Sequence, residues 1–317
     1  MSDEVFTLHD GEGLRAQFSA QGARWLSCRV LGREVLLGPG RVQDPPREPG
    51  MLGAICGRFA GRIGEARFTL DGREHRLLAN EGSTCLNGGP DGFHRRHWAA
   101  RQLSDRELRL SLHSPEGDQG FPGAVDIELA YRIDAPGELS LHWVARSSEA
   151  CPVNLVSRTF FNLNGNLSSV VDHRIRLPAE KVLPVNDRWL PLGDPLPVQG
   201  TRYDLRDWRP VLARDGQGYE HCFVLAPGAS VEVDSGDRQL RLQIRSTLPG
   251  LVLDTGRSLH RARAADGHTL PPSPGLALQA QYWPDGPNHE EWPQCVVRPG
   301  QLLAHRVRYK FFRPAMP

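Results

Sequence analysis

Lysine is almost missing from this 317-residue chain. Lys181 and Lys310 are the only two, so nearly every basic side chain is an arginine and any single arginine is a weak signal. A charge of one sign is missing too. The 38 basic and 37 acidic residues leave a formal charge of +1, which builds no field to gather nucleic acid or an anionic membrane surface. The six cysteines (28, 56, 85, 151, 222 and 295) stand far apart, without a Cys-x-x-Cys pair or zinc-type spacing. They are expected as reduced, mostly buried thiols of a cytoplasmic protein, with no metal site and no cofactor. No apolar run reaches bilayer length, and Met1–Phe6 sets no basic segment before an apolar one, so neither a span nor a signal peptide is expected. Repeats, low-complexity tracts and composition shifts are absent. The chain is therefore expected to form one domain over residues 1–317, as a monomer or homodimer.

Sustained helical periodicity is the last absence. Short alternating or apolar runs recur instead between Gly, Pro, Asp and Asn, the pattern of an all-β fold of stacked, mostly antiparallel sheets. Strands are expected at Leu14–Phe18, Arg24–Val30, Ala66–Leu70, Glu107–His113, Val125–Ile133, Glu138–Val144 and Val153–Val156. Further strands are expected at His173–Leu177, Cys222–Leu225, Ser230–Val233, Gln239–Ser246, Leu251–Thr255, Gly275–Gln281 and Leu302–Phe312. Arg41–Gly50 and Arg263–Gly275 read as surface loops, and the only helical turns expected lie near Leu205–Trp208.

One stretch stands out, Cys151–Gly165 (CPVNLVSRTFFNLNG). Arg158 is its single charged side chain, and in an extended segment it shares a face with Val156 and Phe160. A guanidinium held among apolar neighbours needs a partner. Elsewhere, Gly57–Gly64 (GRFAGRIG) precedes FTLDG, and Leu86–Trp98 reads LNGGPDGFHRRHW. Ser114–Gly123 reads SPEGDQGFPG, Gly218–Leu225 reads GYEHCFVL, and Pro274–His289 reads PGLALQAQYWPDGPNH.

In this order and at these spacings, the segments resemble the aldose 1-epimerase (galactose mutarotase) family, from about Gly57 to the C-terminus. The resemblance implies a galactose-mutarotase-like β-sandwich with an open ligand cleft, and it assigns candidate roles. Arg158 falls where the family pattern P-V-N-L-T-N-H-S-Y-F-N-L has its catalytic histidine, and Gln279 falls where G-L-x-L-E-x-Q has its glutamate base. Glu220 stands for the sugar-binding aspartate of G-Y-D-H-N-F-V-L. Arg62, Asn87 (in place of a histidine), His221, Asp254 (in place of an aromatic residue), Phe160 and Trp283 complete the candidate substrate-binding set. Ser114–Gly123 is expected to order strands rather than to act.

Opening a hemiacetal ring needs a base at the anomeric hydroxyl and an acid at the ring oxygen, both able to exchange protons near neutrality. Arginine stays charged and glutamine does not titrate. The expectation is therefore an inefficient mutarotase whose fixed cation and neutral amide favour a carbonyl-rich or anionic metabolite. Arg158, Gln279 and Glu220 would then serve oxyanion-stabilising or acid–base chemistry, such as dehydration and Michael-type cyclisation in natural-product biosynthesis. Two alternatives stay open: a true aldose 1-epimerase with relocated acid and base (His94, His221, Asp254 or Glu220), and a non-catalytic carbohydrate-binding protein.

Overall fold

The computed structural model describes residues 4–43, 51–212, 217–256, 259 and 262–315. Among the described residues, alternation of apolar and polar residues builds three sheets of more than two strands, with four two-stranded ribbons beside them. The largest is antiparallel and nine-stranded. It runs Ala99–Ser104, Glu107–Ser114, Val125–Ala135, Glu138–Ser147, Leu303–Phe312, Arg241–Ser246, Ser230–Asp234, Arg174–Arg176 and Arg209–Pro210. In Val125–Ala135 every second residue from Val125 to Ile133 is buried, as a sheet with one wet face requires. A six-stranded sheet runs Phe160–Phe161, Leu276–Gln281, Gly250–Asp254, Glu220–Val224, Lys181–Val182 and Leu196–Pro197. Its strand Leu276–Gln281 is buried at every position, so both of its faces are covered.

Val5–His9, Leu14–Ser19, Arg24–Val30 and Arg33–Glu34 form a four-stranded sheet at the N-terminal end. Aromatic contacts tie the layers together. Trp25 meets Tyr309 of the large sheet at 5.4 Å and Phe161 of the six-stranded sheet at 5.9 Å. Phe18 stacks on Tyr131 at 4.2 Å, and the Tyr131 hydroxyl donates to the carbonyl of Ala23 at 3.0 Å. A buried phenol keeps its packing area only if its hydroxyl finds an acceptor, and here it does.

The all-β architecture follows the sequence pattern closely, with local departures. Val153–Val156 is not a continuous strand: pairing occurs at Cys151–Pro152 and Val156–Ser157, with only an isolated bridge from Asn154 to Phe59 between them. Leu205–Trp208 contains no helix; bends at Arg206 and Asp207 lead into Arg209–Pro210, which pairs at the sheet edge with Arg174 and Ile175. Short 3₁₀ turns fall at Gly64–Ala66, Phe93–Arg95, Asp118–Gly120 and Gly286–Asn288, among others. Val5–His9 and Ala99–Ser104 were not expected as strands. The latter carries almost no buried side chain, so its alternation has nothing to mark it.

Residues 44–50 of the first expected loop lie outside the described residues. The second loop buries Ala264 and Leu270 against Phe160 and Leu259, so it is partly a core element. All six cysteines are buried, and none is joined in a disulfide. Among the described residues no helix is long and apolar enough to cross a membrane.

Candidate active site

The site is set by the register of the six-stranded sheet. Cys222 pairs with Val252, and Val252 pairs with Gln279, so these side chains form one row across adjacent strands. The next row is Glu220, Asp254, Ala277 and Phe160. Residues two apart share a face. Glu220, Cys222, Val252, Gln279 and Gln281 therefore look into one pocket, while Phe223, Leu253 and Leu278 of the same strands enter the main core.

Two small apolar clusters bound this face. Phe160 and Ala277 belong to one; Trp283, Leu183, Cys222 and Trp292 belong to the other. Gly250 lies under Trp283, where an added Cβ would come within 2.8 Å of the indole ring. The opposite wall is a ribbon in which Arg62–Ile63 pairs with Cys85–Leu86, bringing Arg62 and Asn87 to the pocket.

Arg158 lines the pocket while being only 6% exposed. Its backbone is clamped: its N–H donates to Ala54 and its carbonyl accepts from Gly53, both at 2.8 Å. Nη1 donates to Asp254 Oδ2 at 3.2 Å, and the guanidinium carbon sits 5.1 Å from the centre of the Phe160 ring. Asp254 is itself buried and takes the N–H of Gly256 at 2.8 Å. Arg62 donates through Nε and Nη2 to Glu81 at 2.5 and 3.0 Å, and through Nη1 to Glu220 at 3.2 Å. Burial works against the Arg62 charge, but the hydrogen bond it donates to Glu81 and the charges of Glu220 and Glu81 outweigh it and hold its pKa above the ordinary value.

Each guanidinium in the pocket thus meets a carboxylate, and the expected excess of positive charge is not there. The preference for an anionic ligand loses its physical basis: Glu81, Glu220 and Asp254 face Arg62 and Arg158.

Arg158, Gln279, Glu220, Arg62 and Asn87 come together as lining. The Asn87 amide is already engaged, its oxygen accepting from Gly61 N–H at 2.9 Å and its nitrogen reaching Met51 Sδ at 3.4 Å. Asp254 lies beneath Arg158 as its counter-ion, and Phe160 is a packing surface for it; neither lines the pocket. Trp283 belongs to the bounding cluster, its indole N–H donating to Pro249 at 3.2 Å.

His221 points away, because it alternates with Glu220 and Cys222. Its Nδ1 accepts the Glu220 N–H at 3.2 Å, so Nε2 carries the proton toward the Tyr203 hydroxyl at 3.1 Å. Burial first and the Arg202 charge second push its pKa down to about 4. His94 is fully buried outside the pocket, also pushed to about 4 by burial and then by Arg95 and Arg24. Burial likewise pushes the Cys222 thiol up, so it faces the pocket neutral.

The sequence reading missed Trp189, Val185, Pro191 and Gln281. Gln281 carried a signal, two residues after Gln279 in a strand; Trp189 carried none. Among the described residues no cluster of three or more His, Cys, Asp or Glu could hold a metal ion.

The pocket presents hydrogen-bond donors and acceptors side by side, with the Glu220 carboxylate among its lining groups. Comparison with known proteins bears on that arrangement. The aldose 1-epimerase family profile matches residues 4–310. The chain is 34% identical over 327 residues to aldose 1-epimerase of Escherichia coli (strain K12), covering 97% of this chain and 94% of that one. It is 33% identical over 315 residues to galactose mutarotase of Homo sapiens, covering 94% and 91%. The fold matches the crystal structure of an aldose epimerase homologue from C. elegans with a TM-score of 0.89 at 21% identity, over 98% of this chain and 99% of that one. It also matches galactose 1-epimerase from Lactobacillus acidophilus with a TM-score of 0.83 at 23% identity, over 98% and 99%. With the profile and these relatives spanning nearly its whole length, the chain belongs to the aldose 1-epimerase family.

Proposed function

We propose that the protein interconverts the anomers of a neutral aldose, with Glu220 as its proton-transferring group. The observation that carries this reading is the charge balance of the pocket: Arg62 and Arg158 both meet carboxylates, so a neutral polyol suits it better than an anion. Glu220 takes the proton from the anomeric hydroxyl as the bond from C1 to the ring oxygen breaks. The electron pair stays on the ring oxygen, where the Arg158 guanidinium stabilises the developing charge. Water at the mouth protonates that oxygen, the aldehyde turns its other face, and the steps reverse. The family resemblance sets Arg158 and Gln279 at the positions of the usual histidine and glutamate. One positioned acid–base group is then left where two are usual, and the rate should be about 10²–10⁴-fold below that of a two-group enzyme.

Polarimetry or NMR exchange with freshly dissolved α-glucose and α-galactose tests this. The rate should exceed that of buffer in proportion to protein concentration. Glu220→Gln should remove at least about 10² of the enhancement. A wild-type rate equal to buffer would end the reading.

A second reading rests on a different observation. Arg158 and Gln279, neither able to trade protons, both face the pocket. On that footing the scaffold stabilises an oxyanion or enolate in dehydration or conjugate-addition chemistry on a carbonyl-bearing metabolite. Such a protein would leave sugar anomers untouched and lose turnover of its own substrate in Arg158→Ala.

A further inference from the structure

Arg62 is shared by two carboxylates that hold it in different ways. Glu81 takes the Nε–Nη2 edge of the guanidinium with both of its oxygens, at 2.5 and 3.0 Å. Glu220 meets Nη1 through Oε1 at 3.2 Å. A two-pronged contact fixes the plane of a guanidinium as well as its position. Burial works against the Arg62 charge, and the hydrogen bond to Glu81 is the largest of the contacts that offset it. Glu81 therefore decides how the Arg62 donors are turned, and Glu220 meets the edge that remains.

Glu81 is not among the residues that line the pocket. Its side chain is 43% exposed, against 17% for Glu220 and 13% for Arg62. An exposed carboxylate on a loose loop would be a weak partner, but this one is pinned to the ribbon that carries Arg62. Glu81 and Thr84 exchange backbone hydrogen bonds at 3.1 and 3.0 Å. Asn80, just before, accepts the Leu86 N–H at 2.7 Å and donates to the Leu86 carbonyl at 3.0 Å. Leu86 is the strand partner of Arg62, whose own carbonyl accepts from Asp285 N–H at 2.7 Å.

Among the described residues, the charged and titratable groups facing Glu220 are Arg62, Arg158, Asp254 and the neutral Cys222 thiol. Gln279 and Gln281 on the far strand, and Leu183, Val185, Trp189 and Pro191 on the near wall, bring no charge. Arg158 is engaged by Asp254, as Arg62 is by Glu81. Glu220 thus stands beside two cations that each have a second carboxylate.

We propose that Glu81 is a positioning residue for proton transfer: its two-pronged grip keeps Arg62 from closing onto Glu220 and so leaves Glu220 basic enough to take the anomeric proton. This rests on the aldose reading above and adds to it a residue outside the pocket. Without the Glu81 charge, Arg62 turns its paired donors to Glu220. Ionised Glu220 is then stabilised and accepts a proton less readily.

The test uses Glu81→Gln, which keeps the size and one acceptor, with Glu81→Asp as the variant that keeps the charge. The acid limb of kcat against pH, from NMR exchange of glucose anomers, reports the ionisation of Glu220 in the complex. In Glu81→Gln that limb should move down by about one pH unit and the plateau should fall about threefold. Glu81→Asp should stay near the wild-type profile. Carbon-13 NMR of glutamate-labelled protein, with Glu220 assigned through Glu220→Gln, should show the same displacement without sugar. A plain loss of stability would lower the amount of active protein and move neither titration. A Glu220 titration that is unmoved in Glu81→Gln, or moved to higher pH, would overturn the proposal. So would an acid limb that stays in place while the carboxylate shifts. A shifted carboxylate in a protein that exchanges anomers no faster than buffer would end the aldose reading and uphold the hold of Glu81 on Arg62 and Glu220.

Discussion

Arg58 and Arg158 are both buried guanidiniums, 2% and 6% exposed, and their surroundings differ in kind. Arg58 donates to the carbonyls of Ser114, Pro115, Pro122 and Gly123 and to the Ser114 hydroxyl, and it faces the Phe121 ring at 5.7 Å. It is a clasp holding the Ser114–Gly123 loop to the irregular segment that precedes Arg62. Arg158 has a carboxylate beneath it, an aromatic ring beside it and a pocket in front. Burial of a charge, taken alone, does not mark a site. What separates the two is whether the terminal nitrogens are spent on a loop, as in Arg58, or held next to a space a ligand can fill, as in Arg158.

The largest effect that sharpens this contrast should come from Arg58→Met. It strips donors from several buried carbonyls at once and should lower stability by about 4 kcal/mol in denaturant titration. Remaining protein should keep its anomer-exchange rate per folded molecule. A stability change below about 1 kcal/mol would break the comparison.

Next come Arg158→Met and Asp254→Asn. Each single change leaves a buried charge without its partner and should cost about 3 kcal/mol. The double variant should be more stable than the sum of the singles implies, as read from a double-mutant cycle. Additive losses would mean the pair is not coupled.

Histidines give the titratable counterpart to these fixed charges. Burial, reinforced by neighbouring cations for His94 and His221 and by His142 for His305, pushes all three down to about 4. An unfolded histidine titrates near 6.5, so between about pH 6.5 and 4 the unfolded chain binds more protons. Stability should be full above about pH 6.5 and should fall as pH drops toward 4, by at most about 3 kcal/mol per histidine. His94→Gln should flatten that slope in chemical denaturation at stepped pH. An unchanged slope would show that His94 is not one of the groups responsible.

The smallest effect is expected from Phe160→Leu, which removes the ring beside Arg158 and keeps most of the apolar volume. A loss of about 1 kcal/mol, with a shift in sugar affinity no larger than about threefold, is expected from calorimetry.

Much of this was legible in the residues. Alternation in Val125–Ala135, Glu138–Ser147 and Leu303–Phe312 marks strands with one wet face, and their boundaries fall within a few residues of those expected. Ala99–Ser104 was not legible, because an edge strand that buries almost nothing needs no pattern. Motif order pointed to Arg62, Asn87, Arg158, Glu220 and Gln279, which line one pocket. Motif order did not distinguish His221 from Glu220, and a one-residue step along a strand sends them to opposite faces.

Residue order alone is enough to specify an all-β chain of the aldose 1-epimerase family, with its candidate site residues spread from Arg62 to Trp283. Which carboxylate meets which guanidinium depends on how distant strands are brought together. Asp254 reaches Arg158 across 96 positions of chain, and Glu220 reaches Arg62 across 158. Local pattern reports which face a side chain takes within its own strand. The sign of the field inside a pocket depends on which strands are laid side by side, and that is fixed by packing over the whole core.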